Sequence, residues 1–233
     1  DAKEDALRVK VKPRKAPYTH WMTFEFVERK PSEATVVLRW DELEVPVRVE
    51  VPDVDGLYLA EIRNQLRNAT GFEWQAWEQA AQFCLQRKRN LPEALKWAEH
   101  AATPGFTGIE SFRTLSTLSQ AQAANGMEDA AKATMQKAMA HPTATAVDLH
   151  MYGRQLQGQK RTDEAVAVFL LNAKKHPDVW PVNVGLARAY SAQGKLKEAL
   201  AAAKKALAQA PDDGNRKGLQ GMIEKLQAGK PID

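Results

Sequence analysis

A single cysteine, Cys84, stands in a chain of 233 residues, and one thiol excludes an intramolecular disulfide and any metal cage built from cysteines. Long apolar runs are missing as well: no stretch approaches the roughly 18 residues that a membrane-spanning helix requires. There is no glycine-rich phosphate loop and no G-x-S-x-G nucleophile elbow. The histidines His20, His100, His141, His150 and His176 offer no two ligands at the spacing of a metal site on one helix. Ser111, Ser116 and Ser119 fall on a helical stretch, and Cys84 shares an apolar face with Trp77 and Ala81, so no nucleophile has a base set against it. Enzymatic chemistry, a cofactor and a metal are therefore not expected. Charge of one sign is also scarce: 33 Lys and Arg stand against 29 Asp and Glu, a formal net of +4. The basic residues are dispersed, Lys174, Lys175, Lys204 and Lys205 suiting the last turns of helices. No aromatic residues interleave them as a nucleic-acid stacking surface needs, so nucleic acid is not an expected partner. Asn68-Ala69-Thr70 matches a glycosylation acceptor and is read as a polar turn.

What is present is a period. Ala131, Ala165 and Ala199 fall 34 residues apart. Five places ahead of them stand Gly126, Lys160 and Gly194, and twelve ahead stand the small residues Ser119, Gly153 and Ala187. Met135, Phe169 and Ala203 follow at four places, then Ala138, Asn172 and Ala206 at seven, and Pro142, Pro177 and Pro211 close the units. Two helices joined by a tight turn, with small residues where they cross, is the 34-residue pattern of the tetratricopeptide repeat, which these units resemble. Phe169 is expected in the core of its unit.

Ahead of the repeats the period is two. Leu7, Val9 and Val11 alternate with Arg8, Lys10 and Lys12, predicting a half-buried strand. A turn over Pro13 to Thr19 then leads to Met22, Phe24 and Phe26 on one face, alternating with Trp21, Thr23 and Glu25. Val36, Leu38 and Trp40 form a third apolar row, and Val45, Val47, Val49 and Val51 a fourth, with a turn expected at Asp41 to Leu43. The prediction is a four-stranded meander whose apolar face, Trp40 included, is covered by helices or by sheet preceding Asp1. The opening at Asp1 without methionine is read as a processed or truncated start. Asp55 is the expected N-cap of a helix through Leu57, Ile62 and Leu66, Pro92 opens a later helix, and Asp213 caps a last one carrying Leu219, Met222, Ile223 and Leu226.

The fold class expected is thus α+β, a small antiparallel β-sheet module followed by an α-α superhelix. The divisions are 1–52 for the β module, 53–71 for a linking helix and 72–228 for repeats. The repeats run from about 72 to 104, 111 to 143, 146 to 177 and 180 to 211, with a capping helix at 213–228.

Asp5 to Pro13, Trp21 to Phe26 and Ala34 to Trp40 resemble the C-terminal part of the β domain in a bacterial family filed as domain of unknown function 2911. Phe72 to Phe83, Glu93 to Trp97 and Phe112 to Thr117 are similar to the helical extension of that family. The resemblance spans most of residues 1 to 120. It implies an exported, periplasmic or secreted protein that carries a secretion signal and more β domain upstream, and it implies no reaction.

The candidate binding residues come from the repeats. The first helix of each tetratricopeptide unit lines the concave surface. Counting from Phe112, Ala146 and Trp180 turns Arg113, Ser116 and Gln120, then His150, Arg154 and Gln157, then Val184, Arg188 and Ser191 toward the groove. The first pair, from Phe72, has an uncertain phase and receives no groove residues. Three arginines with amides make charge-assisted bonds to carboxylates, so the expected partner is a protein or peptide presenting an acidic or C-terminal segment. Membrane insertion is not expected, and a homo-oligomer is compatible with the pattern. The alternative is a small-ligand or enzymatic site on the β module, lined by Thr23, Glu25 or Arg39, with the repeats as its scaffold. Trp74, Trp77 and Trp97 sit at helical spacing and are assigned to core packing rather than to a carbohydrate platform.

Overall fold

A computed structural model describes residues 4–232, which divide into two compact units, one ending at Thr70 and one beginning at Gly71. The first holds strand β1 (Arg14–Val27), strand β2 (Glu33–Glu50) and helix α1 (Val54–Gln65). The strands form one antiparallel ribbon in which Phe24 pairs Leu38 and Phe26 pairs Val36.

This ribbon corrects the four-stranded meander. Asp41 takes a left-handed φ of 56°, but a two-residue reversal needs two such residues or a glycine in the right place. One positive φ followed by alternating valines gives a register shift within a long strand instead, and β2 runs on to Glu50. Likewise β1 begins at Arg14 and passes through the segment expected to turn. Leu7 to Lys12 alternates as a strand must, yet it has no ladder partner among the described residues and stays irregular, with Leu7 exposed. The buried positions of the ribbon are Thr35, Val37 and Glu44, not the expected apolar row. Phe24, Phe26 and Trp40 are open to solvent, and Trp40 at 60 % exposure is not the buried residue the pattern predicts. Helix α1 is capped by Asp53, whose side chain accepts from Gly56 N at 3.0 Å, two residues before the expected Asp55.

Among the described residues, the second unit follows a 3₁₀ turn at Ala69–Phe72 with nine α-helices: α2 (Trp74–Arg87), α3 (Leu91–Ala102), α4 (Phe112–Ala124), α5 (Glu128–Ala140), α6 (Ala146–Gly158), α7 (Thr162–Lys175), α8 (Trp180–Ala192), α9 (Leu196–Ala208) and α10 (Asp213–Gln227). From α4 onward, corresponding helices start 34 residues apart, at 112, 146 and 180 and at 128, 162 and 196. Consecutive helices pack as pairs, α2 on α3 through α8 on α9. The first helices of neighbouring pairs also meet, α2 with α4 and α6 with α8. The step from α5 to α6 is more open than those from α3 to α4 and α7 to α8.

The turns inside the last three pairs share one geometry. Gly126, Lys160 and Gly194 take φ of 77°, 61° and 73°, and the next residue donates back to a carbonyl five places earlier. These bonds are Met127 N to Gln122 O at 2.9 Å, Arg161 N to Leu156 O at 3.0 Å and Lys195 N to Tyr190 O at 2.9 Å. This is the left-handed helix end that satisfies the last free carbonyls. Gly229, at φ 70°, repeats it after α10, with Lys230 N to Lys225 O at 2.9 Å. Helix starts are equally local: Ser111 with Thr114 and Thr145 with Asp148 form capping boxes for α4 and α6, and Asp212, one residue before the expected Asp213, caps α10.

The motif alanines Ala131, Ala165 and Ala199 are buried, as are Ser119, Gly153 and Ala187 across from them. Ser119 Oγ donates to Ala131 O at 2.7 Å and Asn172 Nδ2 to Ala146 O at 2.8 Å, while the buried Asn172 Oδ1 has no partner among the described residues. Phe169 is the largest fully buried side chain. A Cβ on Gly153 would lie 2.4 Å from its Cε1, and one on Gly185 2.7 Å from its Cδ1. The ring is therefore gripped between two glycines, one on α6 and one on α8. Cys84 and Trp97 are buried, while Trp77 is half-buried with its Nε1 donating to Gly71 O at 2.8 Å.

Candidate functional site

The first helices of the pairs carry one face of the second unit, and a trough runs across three of them. Its larger part, about 570 Å³, lies between α2 and α4 and is lined by Glu78, Gln82, Phe83, Phe112, Arg113 and Thr117 among others. A second cavity of about 380 Å³ continues it toward α6, lined by Met151, Arg154 and Gln155. Phe112, Ser116 and Asp148 belong to both, so the two are one groove.

At the α2–α4 end the chemistry is set by Glu78, whose side chain is 2 % exposed. Its Oε2 accepts from Arg113 Nε at 3.1 Å and Nη2 at 2.6 Å. Its Oε1 accepts from Thr117 Oγ1 at 3.0 Å and from Gln82 Nε2 at 3.2 Å. Gln82 Nε2 also donates to Thr117 Oγ1 at 3.0 Å, which ties two of the carboxylate's partners to each other. Burying a carboxylate is costly without such partners, and here both oxygens are met. The Arg113 guanidinium, 56 % exposed along its side chain, rests over the Trp74 ring at 5.6 Å.

At the α6–α8 end, His150 is buried beside the Phe169 ring, 5.8 Å between centroids. Burial, and then the nearby Arg188 and Arg154 cations, push its pKa down to about 4, against a hydrogen bond to the Pro181 backbone that pulls the other way. It is neutral at pH 7. Its Nδ1 has no hydrogen-bond partner among the described residues. Arg188 is buried, 6 % exposed, whereas Arg154 is exposed.

The sequence-predicted residues thus separate. Arg113, Ser116 and Arg154 line the groove, Arg113 in an ion pair that repeat counting did not foresee. Gln120 sits behind Ser116, its Nε2 within 3.4 Å of Ser116 Oγ, and Gln157 is half-buried. His150 and Arg188 are buried and line neither part of the groove. What the sequence reading missed is α2, with Gln79, Gln82 and Gln86 on one face and Glu78 beneath. The Glu78 to Arg113 pairing spans 35 residues, one repeat plus one, a spacing that could have revealed it had the phase of the first pair been known. The groove also holds carboxylates, Glu78 and Asp148, so it is not uniformly basic.

On the ribbon, Arg39 pairs with Glu25 and, at 3.0 Å, with Glu44, which also takes Arg14. Thr23 stands opposite Arg39. These groups form a cross-strand ion-pair surface. Among the described residues no three His, Cys, Asp or Glu side chains converge as a metal site, and no helix is long and apolar enough to cross a membrane.

Residues 156–223 match the model of a tetratricopeptide-repeat family. No curated protein sequence matches the chain significantly. Among solved structures, the chain is similar to a thermophilic TPR protein from Thermus thermophilus, at 21 % identity, covering 75 % of this chain and 91 % of that one, with a TM-score of 0.47. It is similar to a putative kinesin light chain of Podosopora anserina with TPR-like repeats, at 20 % identity over 66 % of this chain and 85 % of that one, TM-score 0.45. A third is YrrB, a TPR protein with an unusual peptide-binding site, at 17 % identity over 72 % of this chain and 84 % of that one, TM-score 0.43. Nothing about a ligand follows from likenesses at this level. Residues 156–223 thus carry the tetratricopeptide-repeat pattern, and the pairs from α4 to α9 share its 34-residue step, left-handed turns and small crossing residues.

Proposed function

We propose that the second unit is a non-enzymatic interaction module whose groove holds an extended peptide segment of a partner protein, with an acidic stretch opposite Arg154. The observation that carries this reading is the continuity of the trough from α2 to α6 through Phe112, Ser116 and Asp148. A trough walled by polar side chains and floored by phenylalanines suits a peptide, whose backbone offers hydrogen bonds at every residue. Arg154 supplies an exposed cation for charge-assisted bonding. The resemblance of residues 1 to 120 adds an exported location, which fractionation of the native cell tests.

Capture with crosslinking from a native extract, using the whole chain, tests the groove. Ser116→Arg fills the shared wall and Arg154→Glu reverses the exposed charge. Both are expected to abolish partner capture while the far-ultraviolet circular dichroism is unchanged. Undiminished capture by both variants moves the interaction elsewhere. Light scattering on the pure chain separates a partner protein from self-association.

A further inference from the structure

We propose that the α2–α4 end of the groove is a subsite for an uncharged amide, an Asn or Gln side chain or a main-chain peptide group, and that it discriminates against carboxylates. This rests on the groove reading above.

Arg113 sets the donor side of the subsite. Its Nε and one Nη2 proton are committed to the buried Glu78, so the cation is neutralised by a carboxylate 2.6 Å away. What remains for the groove, which Arg113 lines, is the Nη1 group, a donor with little net charge behind it. An incoming carboxylate would meet that donor, but it would also meet the field of Glu78, and of Asp148 farther along the same wall. Like charges in a partly dry groove repel strongly enough to offset a charge-assisted bond. A neutral carbonyl oxygen escapes that repulsion.

The acceptor for the amide's other end comes from Gln82. Both its observed hydrogen bonds run through Nε2, to Glu78 and to Thr117, which fixes the carboxamide and leaves its oxygen as the group to offer. A donor and an acceptor, both pinned by a buried carboxylate, match the two ends of an amide. They match a carboxylate, which only accepts, at one end only. The guanidinium lies over the Trp74 ring, 5.6 Å from its centroid, and this contact with the Glu78 bonds restrains it, so less side-chain entropy is lost when a ligand arrives. Glu78 is then a positioning residue, touching no ligand itself.

The test uses the whole chain and a displayed library of random dodecapeptides. Selected peptides are expected to combine an Asn or Gln with an acidic stretch. In a selected peptide, replacing that Asn by the isosteric Asp is expected to weaken binding roughly tenfold, the worth of one or two hydrogen bonds turned unfavourable. The double variant Glu78→Met with Arg113→Met removes both charges together, a change cores of this kind tolerate. It should bind the Asn and Asp peptides alike, while retaining the preference for acid that Arg154→Gln removes. Equal or tighter binding of the Asp peptide by the unaltered chain overturns the amide subsite and leaves the groove reading intact. Failure to enrich any peptide overturns both.

Discussion

Phe169 is the residue on which the third and fourth repeats turn. Fully buried and pressed between Gly153 and Gly185, it cannot be trimmed without leaving a void. Phe169→Ala is expected to cost about 3–5 kcal/mol in urea unfolding. The glycines test the same contact from the other side. Gly153→Ala and Gly185→Ala each drive a methyl into the ring and should cost about 1–3 kcal/mol, a penalty that vanishes in the Phe169→Ala background because the partners couple. His150 is a second buried residue with a measurable signature. Its folded pKa, about 4, lies below its ordinary 6.5, so between these values the unfolded chain binds the extra proton. The contribution is present above pH 6.5 and is lost as pH falls toward 4, amounting to at most about 3 kcal/mol. Arg188 from α8, Arg154 from its own helix and Phe169 from α7 face the ring. Replacing it with Gln should flatten the stability profile between pH 6.5 and 4.5 relative to the unaltered chain; parallel profiles would show the ring to be solvated.

Each of the last three helical pairs is closed by one left-handed residue, and in the third repeat that residue is Lys160 rather than glycine. A side chain with a Cβ is strained in this conformation. Lys160→Gly is therefore expected to raise stability by about 0.5–1 kcal/mol, read as a higher urea midpoint, where glycine at most exposed helical positions would lower it. Pairs also communicate through the buried Glu78. Arg113→Ala strips this carboxylate of its cation and should cost on the order of 2 kcal/mol, reduced from a fully buried pair because Arg113 is itself half in water. Arg154→Ala, an exposed position, should stay within about 0.5 kcal/mol. Equal costs in thermal melts would mean that the Glu78 network contributes nothing to stability.

Across the whole chain the two units differ in how they hold themselves together. The second has its cores inside its own helices: Phe112, Leu149, Leu156 and Phe169 in one cluster, Ala187, Ala199, Ala203 and Leu226 in another. Residues 71–232 alone should accordingly unfold cooperatively and give a predominantly helical circular-dichroism spectrum; a non-cooperative melt would show that the first unit is needed for the fold. Much of this unit was legible in the sequence, because a repeat writes each packing decision three times. The 34-residue step named the turn residues, the crossing alanines and buried Phe169, and all of these depend on local spacing. Asn172 departs from the small residue the pattern asks for and is a hydrogen-bonded core residue. The β ribbon was less legible. Alternation tells which residues share a face, but a strand exists only through its ladder partner, so neither the irregular course of Leu7 to Lys12 nor the continuation of β2 through Asp41 could be read from it. The groove falls between these cases. Counting along repeat helices turned Arg113, Ser116 and Arg154 toward it, since direction on a helix is a matter of phase. Only the tertiary structure decided that Arg188 and His150 are buried away from it, and that Glu78, a repeat away from Arg113, pairs with that arginine. Those facts depend on how far one helix leans on the next, and the 35-residue spacing of the Glu78–Arg113 pair is readable only once the phase of the first pair is fixed.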